Sequence, residues 1–138
     1  TLIFLPSYFD YLRVYTFLKK EDANFGALCE YTKPPDISRT RTEFFHGKYD
    51  VLLYTDRFHF YHRYNIRGPQ HIIFFGLPIF PKFYLEVLNM LDSSLHTTAL
   101  ALFSKFDIFQ LERILGTNHA HHVLNVKKDT HLFHTSTG

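Results

Sequence analysis

Residues 38–78, SRTRTEFFHGKYDVLLYTDRFHFYHRYNIRGPQHIIFFGLP, decide the fold of this 138-residue chain. Two short apolar runs, 51–54 and 71–75, are bounded by polar or turn-forming residues and read as strands buried on both faces. Ahead of them, Asp36 or Ser38 is placed to cap a helix that carries Phe44 and Phe45 inward and stops at Gly47. Between the strands, DRFHFYHRYNIRG gives a second helical stretch with apolar spacing i, i+3 at Phe58 and Tyr61. Doubly buried strands alternating with helices specify a parallel sheet covered on both sides.

The same alternation continues outward. Leu2–Leu5 reads as a buried strand. Ser7 stands at an N-cap position, and Tyr8, Leu12, Tyr15, Phe17 and Leu18 give helical spacing up to Lys20. A strand at 27–31 ends before Pro34-Pro35. On the far side come a helix over 80–91, with Pro81 in its first turn, a connecting loop at 92–97, and a fifth strand within 95–103. A helix over 108–115 is capped by Asp107 and closed by Gly116, and a short helix covers 119–126. The polar end from Lys127 offers a brief last strand at 131–133. No repeat or linker divides the chain, so residues 1–138 form one domain. Because a strand begins at residue 1 without a Met, a fragment of a longer protein is expected. Ligands of such sheets meet the loops at the carboxyl ends of the strands, here starting at Pro6-Ser7, Thr32, Thr55-Asp56 and Gly76.

Composition narrows the function. Aromatics make up 18% of residues, with sixteen Phe and no Trp, which is enough apolar bulk for a dense core. The longest apolar run, 72–80, is far short of the ~20 residues of a membrane span, and no membrane partner is expected. A single cysteine, Cys29, excludes an internal disulfide and fits a reducing compartment. Cys29 reads as a strand residue and an inert buried thiol rather than a nucleophile. Ten histidines invite a metal. His59 with His62, and His119 with His121 and His122, lack the cysteine and carboxylate partners of zinc sites, so neither a metal nor another cofactor is expected. Net charge is only +2, but Arg39, Arg41, Lys48, Arg57, Arg63 and Arg67 crowd the middle third, interleaved with acidic residues.

The layout of residues 38–78 resembles the second RecA-like domain of a superfamily 2 helicase. There a Gln-x-x-Arg turn, a helix, a Phe-x-x-Gly step, a strand ending in Thr-Asp, an Arg-Gly-x-Asp loop and a strand near Pro follow one another. Arg41, Phe45, Gly47, Thr55, Asp56 and Pro78 keep that layout, while Ser38 replaces the glutamine. Counted without gaps from Thr55, the Arg-Gly-x-Asp positions hold Phe60, Tyr61, His62 and Arg63. The arginine-rich motif expected after Tyr84 is replaced by LEVLNMLD. Its arginines stabilise charge on the transferring phosphoryl group, an effect on the order of a thousandfold or more. Leu85, Val87, Leu88 and Leu91 read instead as core packing, and ATP hydrolysis is not expected.

Five residues are candidates for RNA binding: Arg41, Thr55, Arg57, Arg63 and Arg67. Arg41 fits the position of the turn arginine, although an exposed helix arginine is the commoner case. Thr55 can contact phosphate through its hydroxyl, or cap the following helix with the same hydroxyl. In residues 56–68 three arginines and two histidines interleave with Phe58, Phe60, Tyr61 and Tyr64, the mixture that single-stranded RNA binding uses. The competing reading buries Phe58, Tyr61 and Tyr64 and leaves Arg57, Arg63 and Arg67 in solvent. Such a contact would be electrostatic and nearly blind to sequence.

The phrases LIFLPSYFDYLRVYTFLKKE, CEYTKPPDISRTRTEFFHGK, LLYTDRFHFYHRYNIRGPQHIIFFGLP, FYLEVLNML and LFSKFD resemble the carboxyl-terminal domain of the digestive organ expansion factor family, over essentially the whole chain. That family comprises eukaryotic small-subunit processome proteins associated with U3 small nucleolar RNA. The resemblance implies a DEAD-box-like fold without helicase motifs and a nucleolar, nuclear location. It also implies a non-enzymatic role in ribosome biogenesis and pre-18S ribosomal RNA processing. Implied partners are pre-ribosomal RNA or U3 small nucleolar RNA, other processome proteins, and an upstream RecA-like domain in the same chain. Two alternatives stay open: a protein-docking scaffold that meets no RNA, and a residual ATP-dependent RNA helicase.

Overall fold

The computed structural model describes residues 1–92, 96–104 and 107–125. Its elements follow in the order β1 (Leu2–Leu5), α1 (Tyr8–Lys20), β2 (Phe25–Leu28), α2 (Pro34–Phe45), β3 (Val51–Thr55), α3 (Asp56–His62), β4 (His71–Phe74), α4 (Pro81–Leu88), β5 (Thr98–Ala101), α5 (Ile108–Leu115) and α6 (Thr117–Asn125). The five strands form one sheet in the order β2-β3-β1-β4-β5. All four pairings are parallel, with Leu2 opposite both Leu52 and Ile72. This is the RecA-like α/β fold.

Period-2 alternation splits the central strands between two faces. Leu2, Phe4, Leu52, Tyr54, Ile72 and Phe74 point into the larger core with Ile37 and Phe44 of α2, Phe58 of α3 and Val87 of α4. Ile3, Leu5, Val51 and Leu53 point the other way, onto Tyr11, Val14, Tyr15 and Leu18 of α1. Leu77, Leu111 and Ala120 hold α5 and α6 in a third cluster. Burying each Phe or Leu of the central strands contributes roughly 1.5–3 kcal/mol, so the sheet centre carries most of the stability.

Several boundaries and faces differ from the sequence expectations. β2 starts and ends earlier than 27–31, because Cys29 leaves the sheet for a turn in which the Thr32 N–H donates to the Cys29 carbonyl. Glu30 and Cys29 are therefore loop residues. Pro34 and Pro35 open α2 rather than end a strand. Lys33 occupies the cap position, not Asp36 or Ser38, since proline's missing N–H costs nothing in a first helical turn. α1 buries Tyr11 and packs Val14, Tyr15 and Leu18, while Leu12 and Phe17 are exposed. α4 ends at Leu88, and single turns carry the chain on to Leu91. Phe45, Tyr61 and Leu85 face solvent instead of core. α6 begins at Thr117, two residues earlier than read. The strand expected at 131–133 lies outside the described residues. Among the described residues no helix is long and apolar enough to cross a membrane.

Candidate nucleic-acid interface

The five candidate residues all lie on α2, at the end of β3, or along α3 and the segment that leads from it to β4. The structure puts four of them in three settings and leaves Arg67 apart.

The first is a cleft of about 220 Å³ at the carboxyl ends of β1, β2 and β3, lined by Pro6, Tyr8, Glu30, Tyr31, Thr55 and Arg57. Thr55 is the N-cap of α3, with extended backbone at φ −89° and ψ 153°. Its Oγ1 accepts from the Phe58 N–H at 3.1 Å and donates to Glu30 Oε2 at 3.2 Å. The capping reading of Thr55 thus describes its geometry, and its single hydroxyl proton goes to Glu30. Arg57, one residue inside α3, is exposed on the same cleft. Tyr31 is exposed and meets Tyr8 edge-on at 5.6 Å and 80°.

The second setting surrounds Arg41. Its guanidinium lies 4.1 Å from the centre of the Tyr64 ring, a cation–π contact that fixes α2 against the segment after α3. His62 stacks on Tyr64 with an interplanar angle of 7°, and Phe58 lies beneath His62 at 4.7 Å.

The third holds Arg63. This residue closes α3 in the left-handed conformation, φ 47° and ψ 41°, which bulky residues adopt only when their surroundings demand it. Its guanidinium sits 5.1 Å over the Phe83 ring and 3.7 Å from Glu86 Oε1. The other Glu86 oxygen, Oε2, meets His59 Nε2 at 2.6 Å, and His59 Nδ1 meets the Tyr54 hydroxyl at 2.6 Å. His59 is only 2% exposed. Burial pushes its pKa down against the opposing pull of Glu86. A neutral ring that donates from Nε2 to Glu86 and accepts from the Tyr54 hydroxyl at Nδ1 satisfies all three groups. In the sequence His59 figures only as a candidate metal ligand, a reading set aside there. Nothing local marks its burial, because Glu86 is 27 residues further on.

Arg67 is exposed in the loop before β4, anchored by the buried Ile66. Among the described residues Arg41, Arg57 and Arg67 form no ion pair, whereas Arg63 faces Glu86. The structure therefore joins Thr55 with Arg57 and gives Arg41 and Arg63 separate aromatic anchors. Asp56 is 6% exposed, and its Oδ1 has no hydrogen-bond partner. Burial raises its pKa to about 6. Among the described residues no three His, Cys, Asp or Glu side chains gather as a metal ion requires.

Solved structures of similar shape include domains of DEAD-box proteins. The chain superposes with a TM-score of 0.69 on the E. coli DEAD-box protein SrmB bound to regulator of ribonuclease activity A. The score is also 0.69 for the C-terminal domain of the DEAD-box protein Dbp5. Each match is 18% identical and covers 82% of this chain and 66% of the other. Curated relatives agree over nearly the whole chain. The human U3 small nucleolar RNA-associated protein 25 homolog is 43% identical over 98% of it. Protein NUCLEOLAR FACTOR 1 of Arabidopsis thaliana is 42% identical over 96%. The chain spans 18% of the length of either relative. A family described as the Utp25 C-terminal domain matches residues 1–133. With this match and these identities, the chain belongs to the Utp25 C-terminal domain family.

Proposed function

We propose that this domain is a non-catalytic, helicase-like assembly factor of ribosome biogenesis that acts by binding RNA in the nucleolus. The names of its relatives support the setting, since they are U3 small nucleolar RNA-associated proteins and a nucleolar factor. Pre-ribosomal RNA or U3 small nucleolar RNA and other small-subunit processome proteins are the partners in this reading. An upstream RecA-like domain of the same protein packs beside this one. The LEVLNMLD sequence at residues 85–92 supports the non-catalytic part, because no arginine remains there to stabilise a transferring phosphoryl group.

The observation that carries the RNA reading is that Arg41 on α2, Arg57 on α3 and Arg67 on the segment after α3 are free of ion pairs among the described residues. Arg63 adds charge partly offset by Glu86, and Thr55 orders the helix start. Phosphate contact at these positions is electrostatic and releases counterions. The test is the double reversal Arg57→Glu and Arg67→Glu, which spares Arg63 and avoids setting two carboxylates face to face. Binding to single-stranded RNA should weaken for every sequence, and the salt slope should flatten by about one unit per lost phosphate contact. Unchanged RNA affinity together with loss of a processome-protein pull-down would assign these arginines to a protein partner. That second reading has its own support: Phe60 and Phe80 stack at 5.8 Å while both stay about half exposed, beside exposed Tyr61 and Ile79. Exposed aromatic clusters of this kind mark docking surfaces.

A further inference from the structure

The cleft at Thr55 is built for more than a phosphate. We propose that it holds one unpaired guanine base, stacked on Tyr31 and read by the Glu30 carboxylate, with Arg57 contacting the adjoining phosphate. This inference rests on the RNA-binding reading above and adds a base preference to it.

The chemistry follows from the lining. A carboxylate accepts hydrogen bonds and donates none. Glu30 already takes one donor, the Thr55 hydroxyl at 3.2 Å. That bond holds the side chain at the cleft wall. Guanine presents two neighbouring donors on its pairing edge, N1–H and the N2 amino group, which match the two oxygens of a carboxylate. Adenine and cytosine turn a bare ring nitrogen to the same place, and uracil flanks its one N–H with carbonyl oxygens. Each of those sets an acceptor against the carboxylate and leaves it unsatisfied, which is the costly outcome in a partly buried site. A phosphate at this wall would meet the same negative charge, so the Thr55 hydroxyl does not serve the backbone.

Stacking supplies the rest of the contact. Tyr31 is 71% exposed, and Tyr8 braces it edge-on. Tyr8 is in turn stacked on Tyr11 at 5.7 Å. A base gains stacking energy on a braced exposed ring at little entropic cost. At about 220 Å³ the cleft is smaller than the ~300–1,000 Å³ of ordinary ligand sites, which suits a single ring system. Arg57 at its rim carries the charge that a strand's phosphate needs.

The test is fluorescence anisotropy with the 138-residue chain and labelled oligouridine hexamers carrying one central G, A, C or inosine. The G-containing strand should bind about tenfold more tightly than the A and C strands. Inosine, lacking the amino group, should fall between. Glu30→Gln keeps an oxygen for Thr55 and so keeps the fold, which a melting curve checks. It should bring all four strands within about twofold of one another without weakening the plain oligouridine. Tyr31→Ala should weaken the G strand several-fold. Guanosine monophosphate that competes as well as the G strand would identify a free nucleotide as the source of the base, with the pocket chemistry unchanged. Equal affinity for all four strands, or a G preference that survives Glu30→Gln, overturns the proposal and leaves the RNA-binding reading standing. No binding to any strand overturns both.

Discussion

Asp56 is a buried carboxyl with an unpartnered oxygen, and its cost can be read in a pH titration. Its folded-state pKa of about 6 lies above the ordinary 3.8 because burial penalises the charge. Well below pH 3.8 the group is neutral in both the folded and unfolded chain. As pH rises from 4 to 6 the unfolded chain releases the proton first, so stability falls, and above pH 6 the full penalty of about 2–3 kcal/mol at most persists. Asp56→Asn should therefore raise the melting temperature at pH 7.5 and leave it nearly unchanged at pH 4. His59 runs the other way. Its lowered pKa means that the unfolded chain gains a proton below pH 6.5 that the folded chain resists, so its contribution to stability is lost as pH falls. Urea melts from pH 4 to 8 on the Asp56→Asn variant should lose the fall in stability between pH 4 and 6 and keep the rise that His59 contributes. Neither burial was legible in the sequence. DRFHFYH offers Phe58 and Tyr61 as the apolar pair at helical spacing, yet the structure buries Phe58 with His59 and leaves Tyr61 in water. What decides the matter is Glu86, 27 residues away, which local spacing cannot supply.

At the scale of elements, α4 shows how a lost motif becomes packing. Phe83 and Val87 are fully buried four residues apart, as one face of a helix requires, and Leu85 is 60% exposed on the other. Phe83→Ala should cost about 3–5 kcal/mol, more so because the ring also supports His59 and Arg63. Leu85→Ala should change stability by less than about 0.5 kcal/mol. Chemical denaturation of the two variants checks the register, and equal losses would refute it. α3 is only seven residues long, too short to persist by propensity, and depends on its cap. Thr55→Val, which keeps the shape and removes the hydroxyl, should lose about 1 kcal/mol, with unfolding by urea as the measure. α1 illustrates an ambiguity of composition. Tyr8, Phe9, Tyr11, Leu12, Val14, Tyr15, Phe17 and Leu18 are more apolar residues than one face can bury, so spacing alone admits several phases. Only the contact with Leu5 and Leu53 selects Tyr11, Val14, Tyr15 and Leu18.

For the whole molecule, the parallel sheet was the most legible feature. Runs such as LIFL and VLLYT are apolar on both faces, and only a sheet covered on both sides accepts them. Edge strands were harder. β2 carries Gly26, and the β-prone CEY that follows it in sequence belongs to a turn. The strand-end location of the cleft, with Thr55 and Arg57, was legible in the sequence, but its wall Glu30 was not, because it reaches Thr55 across 25 residues. The strand order has one more consequence, for the chain as it is being made. β1 lies in the middle of the sheet, and its Leu2 pairs with Leu52 and Ile72, both far downstream in the chain. Synthesis delivers β1 long before either neighbour, so the strand must wait on the ribosome with both edges unpaired. Non-local parallel pairing of this kind folds slowly and exposes hydrophobic edges meanwhile. A nascent chain stalled shortly before residue 51 should stay protease-sensitive and bound to chaperones, and one extended well past residue 74 should become protected.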